Sequence, residues 1–312
     1  MHFSPVPLHI PDGFLNLVIS LLFWAITAIT VGIAISKTNK SLGERQIPLM
    51  GVMAAFIFAA QMLNFPVAGG TSGHFLGGAL AAIVLGPWAA ILVMTAVIAV
   101  QGLLFQDGGL LVMGANIFNM GLLTAAIGYG LYRAAAGRSK GTRYAVAGIG
   151  AWIAVLTAAL VTSLQLWLSG TSQLQIVLPA MLGVHVLIGI GEAIITVAAL
   201  TFIEQTRPDL LSEKSTTEKG GRGWVFVGVI VALLAVLISP LASAFPDGLE
   251  RVAENVGFLE MGQSAPYQIL PDYTVPFLGE TALSTIVAGA VGALVLLGLM
   301  IVIGNILRGK TR

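Results

Sequence analysis

Residues 69–105 read GGTSGHFLGGALAAIVLGPWAAILVMTAVIAVQGLLF, 37 residues without a single Asp, Glu, Lys or Arg. A helix crossing a hydrocarbon core of ~30 Å needs about 20 predominantly apolar residues. The stretch is apolar enough for a bilayer and too long for one ordinary crossing. Near its middle stands Gly86-Pro87-Trp88. Proline removes a backbone donor, and Gly-Pro is a turn signal. Whether these residues cross once or twice decides the topology of the chain.

On either side lie further apolar runs, at 14–36, 47–63, 110–132, 144–168, 176–203, 224–243 and 281–305. Basic clusters fall at Lys37–Arg45, Arg133–Arg143, Arg207–Arg222 and Arg308–Arg312, and the excess of Lys and Arg in cytoplasmic loops places all four on the inner side. Between the first two clusters the chain crosses an even number of times. Segments 47–63 and 110–132 account for two crossings, so 69–105 supplies an even number as well. Two helices, 69–85 and 88–105, joined by a tight cytoplasmic turn at Gly86-Pro87, satisfy this. A re-entrant hairpin in place of two full spans keeps the same parity.

The expectation is an all-α polytopic protein of the cell (cytoplasmic) membrane with nine helices, its N-terminus extracytoplasmic and its C-terminus cytoplasmic. Residues 1–205 form a seven-helix bundle, and 206–223 a polar cytoplasmic linker. Residues 224–312 form a two-helix transmembrane hairpin around an extracytoplasmic loop, 244–280. That loop carries six acids (Asp247, Glu250, Glu254, Glu260, Asp272, Glu280) against one base, Arg251. Either the acids gather cations by steering, or the loop simply lacks the Lys and Arg that translocated loops avoid.

Composition agrees with a bilayer as solvent and a lipid partner. The 312 residues are 57% hydrophobic and 9% charged, where a soluble domain carries about 25% charged residues. The 38 glycines suit helices that must approach closely with no hydrophobic force between them. A net charge of +1 points to no nucleic-acid partner. With no cysteine, disulfides, iron–sulfur centres and thiolate metal sites are excluded. The first 13 residues contain no Lys or Arg, unlike the basic start of a cleavable signal peptide.

Four histidines occur, at 2, 9, 74 and 185. His9 lies in LHIPDGFL just before the first helix, and His74 in GGTSGHFLGG at the outer start of the third. The topology puts both on the outer side. Imidazole is a common ligand for nickel, zinc and copper, so the pair is a candidate site for a divalent transition metal. On spacing alone, an interfacial or hydrogen-bonded role competes with it. Pro11-Asp12-Gly13 can turn the leading segment back toward the glycines around His74. Polar residues in apolar surroundings form a second group. Asn64 shares a helix face with Gln61, and Asn116 with Asn119, at i,i+3 spacing; His185 and Glu192 share a face of the seventh helix. Ionisable groups inside a span are costly and usually functional. For Glu192 the alternatives are support of a ligand, a helix–helix tie or contact with a partner subunit. Ser72, just ahead of His74, joins the same set.

Residues 304–311, GNILRGKT, match the phosphate-loop pattern G-x4-G-K-[ST]. Such a loop needs a strand before it and a helix after it. Here an apolar span precedes it and only Arg312 follows, so the match is accidental. No hydrolytic motif or nucleophile–base set is visible; the chain reads as a non-enzyme without organic cofactor.

HIPDGFL at 9–15, TSGHFLGG at 71–78, QDGGLLVMGANIFNMG at 106–121 and HVLIGIGEAIIT at 185–196 resemble the CbiM/NikM family, the substrate-binding membrane subunits of energy-coupling-factor cobalt and nickel importers. FPDGLE at 245–250 resembles the PDGLE module, similar to the small CbiN/NikN accessory subunit and here fused to the main one. The resemblance implies an S-component-like bundle and a transmembrane coupling (T) subunit with two cytoplasmic ATPase (A) subunits as partners. It also implies Ni2+ or Co2+ as the transported substrate, with a link to cobalamin biosynthesis, and a metal chelated by nitrogen alone. In the family an initial Met-His supplies its amine, amide and imidazole nitrogens, and the histidine of the SGH block the fourth, which carries over to His9 and His74.

The start departs from that pattern, because Leu8 precedes His9. Either translation begins at position 8, with Leu8 read as methionine, or Met1 and His2 are the chelating end and residues 3–8 fold back. The spacing to Pro11-Asp12-Gly13 favours the first. Rival functions are a membrane-embedded metal sensor or accessory subunit, and an S-component for a vitamin-like molecule. A nitrogen-only site argues against the vitamin.

Overall fold

The computed structural model describes residues 9–43, 46–210 and 223–309. Its helices are α1 (Leu17–Ser41), α2 (Gln46–Gln61), α3 (Gly78–Leu85), α4 (Pro87–Phe105), α5 (113–134), α6 (Lys140–Leu168), α7 (Leu174–Thr206), α8 (Gly223–Ile238), α9 (Gly248–Val256) and α10 (Ala282–Gly309). Between α2 and α3 lies a small hairpin, β1 (Phe65–Val67) and β2 (Thr71–Gly73). Among the described residues, six helical stretches of 19 to 33 residues are long and apolar enough to cross a membrane: α1, α4, α6, α7, α10, and α8 with its 3-10 extension to Leu241. The chain is a multi-pass, all-α membrane protein. α2 is apolar but shorter, at 16 residues. Both α4 and α5 contain a π-turn, at Gln101–Phe105 and Ile117–Leu123, features that cluster at functional sites.

The continuous helix expected over 69–85 does not form. Residues 65–73 make the antiparallel β1–β2 pair, with Phe65 opposite Gly73 and Val67 opposite Thr71. The turn between them places Gly69 and Gly70 at φ +75 and +69, conformations that glycine adopts without steric cost. Residues 74–77 carry no regular secondary structure, and α3 begins only at Gly78. Its eight residues rise about 12 Å, well short of a crossing. Gly69 and Gly70 thus turn the chain, while Gly73, Gly77 and Gly78 serve close packing: a Cβ would lie 2.5 Å from Ile188 at Gly73, 2.8 Å from Ile57 at Gly77 and 2.5 Å from the Met120 carbonyl at Gly78. The tight turn expected at Gly86-Pro87 is present, with Pro87 opening α4, where its missing donor costs nothing.

Side-chain burial divides into two layers. One runs through the middle of the bundle, where Phe58 of α2, Leu80 of α3, Met94 and Phe105 of α4 and Leu296 of α10 are packed together. Small residues permit close approach: a Cβ on Gly114 would lie 2.6 Å from Cα of Trp24 in α1. The second layer caps one end. There Ile10, Phe14 and Leu15 meet Val112, Met181, Val252 and Phe258, and Phe14 and Phe258 pack edge to face at 5.0 Å. The leading segment is thus pinned under the 244–280 loop, whose α9 starts with a capping box between Asp247 and Glu250. The GNILRG stretch at 304–309 is simply the last turn and a half of α10; Lys310 and Thr311 lie outside the described residues.

Candidate metal centre

The capped end brings His9 and His74 together, both buried, with ring centroids 5.5 Å apart and planes at 68°. A metal–imidazole bond of about 2.0–2.1 Å puts the ion about 3 Å from a ring centroid, so two rings up to about 6 Å apart can share one ion. Each ring is held through Nδ1. His9 Nδ1 lies 3.2 Å from the Asp107 carbonyl and 3.5 Å from its Oδ1, and His74 Nδ1 lies 3.2 Å from the Phe75 carbonyl. Metal-binding histidines are oriented through the second ring nitrogen in this way. His9 Nε2 is buried without a hydrogen-bond partner. His74 Nε2 faces Asp247 Oδ2 at 3.8 Å, too far for a hydrogen bond.

Burial, and after it the neighbouring His9, lowers the His74 pKa to about 4. The ring is therefore neutral near pH 7, as a metal ligand must be. Burial also pushes Asp247 up to about 8. Both shifts disfavour a charged pair across the 3.8 Å contact. Among the described residues, no set of three His, Asp or Glu side chains converges on one metal position.

The surroundings explain how the segment that carries His9 is fixed there. Asn116 at the head of α5 donates to the Ile10 carbonyl at 3.0 Å and accepts from the Ile10 N–H at 3.1 Å, as a strand partner would. The Asp12 carboxylate accepts from the N–H groups of Leu110, Leu111 and Val112, at 3.0, 2.9 and 3.2 Å. Gly109 donates to the Ile10 carbonyl at 2.9 Å. Gly108 has φ +98, and a Cβ there would stand 2.9 Å from that of His9 and 3.0 Å from Asn116 Nδ2, so only glycine fits without strain.

His74 is fixed from the other side. Glu192, buried in α7, accepts from the N–H groups of Leu76 and Gly77 at 2.6 and 3.0 Å. In the structure it ties α7 to the peptide that carries His74. Ser72 bonds the loop module, its hydroxyl donating to the Phe245 carbonyl at 2.7 Å and its N–H to the Pro246 carbonyl at 2.8 Å.

The remaining candidates stand farther back. Asn119 pairs reciprocally with Gln165 and donates to Thr162, joining α5 to α6. His185 directs Nδ1 to the Met181 carbonyl of its own helix, 2.7 Å away, and its ring stands beside Gly248. The Asn64 carbonyl accepts from Ser243. Met1, His2 and Leu8 lie outside the described residues.

Three residues at the site had not been singled out for it. Asp107 sits in the QDGG block and Asp247 in FPDGLE, so their motifs were visible but their aim was not. Tyr273 had no local signal; only the loop's path brings it to Asp107. A crevice of about 900 Å3 lies elsewhere, between α2, α7 and α8, with walls such as Met53, Phe202 and Val231. Its lining is mainly apolar and holds no His, Asp or Glu side chain.

Residues 9–210 match the family described as the cobalt uptake substrate-specific transmembrane region, and residues 222–309 match the PDGLE domain. A putative fused nickel transport protein of Archaeoglobus fulgidus is 38% identical over 301 residues, covering 94% of this chain and 96% of its own. A fused nickel transport protein of Rhodobacter capsulatus is 28% identical over 346 residues, covering 98% and 99%. A crystal structure of a truncated transition metal transporter aligns with TM-score 0.58 and 34% identity, covering 64% of this chain and 99% of that one. The chain belongs to the cobalt uptake substrate-specific (CbiM) family of metal transport components, fused here to a PDGLE domain.

Proposed function

We propose that this chain is the capture subunit of a nickel or cobalt importer, holding one Ni2+ or Co2+ as substrate between His9 and His74. The observation that carries the reading is the pair of buried imidazoles 5.5 Å apart, each anchored through Nδ1, with His9 Nε2 left without a partner. A buried ring nitrogen without a hydrogen bond is costly, and a metal ion between the rings removes that cost. A nitrogen donor set of this kind suits nickel(II), with copper(II) as the chemical competitor. The site faces the extracytoplasmic side, as the basic clusters require. Energy comes from separate ATPase subunits through a coupling subunit.

Titration of the purified full chain with Ni2+ and with Co2+ tests the assignment. His74→Ala is expected to abolish high-affinity binding of both ions while leaving the helical content as in wild type. Undiminished affinity in that variant overturns the site.

A further inference from the structure

Beyond the two imidazoles, the 244–280 loop brings Tyr273 against the residue that holds His9. Tyr273 is buried, and its hydroxyl donates to Asp107 Oδ2 at 2.6 Å while accepting from Gln101 Nε2 at 3.2 Å. Asp107, itself 1% exposed, presents its other carboxylate oxygen and its carbonyl to His9 Nδ1. A continuous line therefore runs from the π-turn of α4 through Gln101, Tyr273 and Asp107 to His9.

Several features show that this placement is enforced. The Tyr273 ring stacks on Phe105 at 4.8 Å and lies 5.9 Å from Phe58. The next turn is bolted to α10, Val275 donating to Ser284 Oγ at 2.7 Å. Asp272 and Tyr273 are held at φ 51 and 58, a left-handed backbone that non-glycine residues rarely adopt. Such conformations persist only where their surroundings over-determine them, and they cluster at functional sites. The same loop sets Asp247 opposite His74, so it reaches both rings.

We propose that Tyr273 is a positioning residue for metal capture, holding the Asp107 carboxylate in the orientation that aims His9 Nε2 at the ion. The PDGLE domain thereby tunes the coordination geometry from outside the ligand set. This rests on the reading of His9 and His74 as ligands, which the test below keeps separate.

The full chain is titrated with Ni2+ and with Co2+ as Tyr273→Phe, which keeps the ring on Phe105 and removes only the hydroxyl. Partners of a ligating histidine typically change metal affinity about 10- to 100-fold when lost. A drop of that size is expected, with shifted ligand-field absorption of the bound ion and the helical content of the metal-free protein retained. Asp107→Asn cuts the same link at its other end and repeats the spectral shift, even where the Phe variant fails to fold. Wild-type affinity and spectrum in either folded variant overturn the proposal. If His74→Ala abolishes binding in that case, the ligand assignment stands and the relay alone fails; if it binds normally, both fall.

Discussion

Replacing Glu192 by Gln changes one oxygen to an amino group and leaves the volume of α7 intact. In the wild type both carboxylate oxygens accept, from Leu76 N–H at 2.6 Å and Gly77 N–H at 3.0 Å. Gln offers one acceptor, so one N–H then faces an NH2 donor. With Glu192 only 1% exposed, no water easily replaces the lost oxygen. A buried donor left unsatisfied costs about 1–3 kcal/mol. The metal-free peptide can relax and hydrate that N–H, whereas the loaded state must hold His74 in place. The penalty therefore falls on binding, and about 1–3 kcal/mol corresponds to roughly 5- to 150-fold weaker affinity. Calorimetric titration with Ni2+ measures the affinity, and hydrogen exchange at Leu76 and Gly77 measures the local opening. Wild-type affinity together with wild-type exchange at both amides would refute the argument that Glu192 holds the His74 peptide.

Gly108→Ala puts a methyl 2.9 Å from the His9 Cβ on a backbone at φ +98; backbone strain of about 1–2 kcal/mol and displacement of the ring are expected to weaken metal binding at least about tenfold, checked by titration with the circular dichroism of wild type retained. Asp272 makes loop docking pH-dependent. Burial, and then the charge of Asp107, raises its pKa from 3.8 to about 7, so the folded state binds its proton more tightly than the unfolded one. Its contribution is therefore fully present below about pH 4 and is lost as pH rises through about 7. Protection of loop amides measured at pH 5 and pH 8 should fall at the higher pH, and less so in Asp272→Asn; an equal fall in both would remove Asp272 as a cause.

Much of the architecture was legible because lipid imposes a simple rule. Every backbone polar group must be satisfied internally, so long uncharged runs are helices, and α6, α7, α8 and α10 fall where the apolar segments end. The 69–85 segment escaped that rule because its first nine residues form the turn and second strand of a hairpin and then a stretch without regular secondary structure, within the protein's own cover. Apolar content alone does not distinguish these from a helix. The polar candidates were legible as types and not as partners. Asn116 and Asn119 share a face, yet one grips Ile10 and the other Gln165. Glu192 read as a ligand's support, a tie or a subunit contact, and the structure places it on the His74 peptide.

By itself the sequence determines the solvent, the helical class, the two-part organisation as an expectation, and the absence of thiolate chemistry. It also names both imidazoles, since polar residues in so apolar a chain are few enough to stand out. Only the tertiary structure decides that His9 and His74 meet, which nitrogen each leaves open, and that Asp107, Asp247 and Tyr273 surround them. These contacts join residues 65 to more than 160 positions apart, and no local propensity encodes them. They arise from how the leading segment and the 244–280 loop close together over one end of the bundle, each burying the other's apolar side chains.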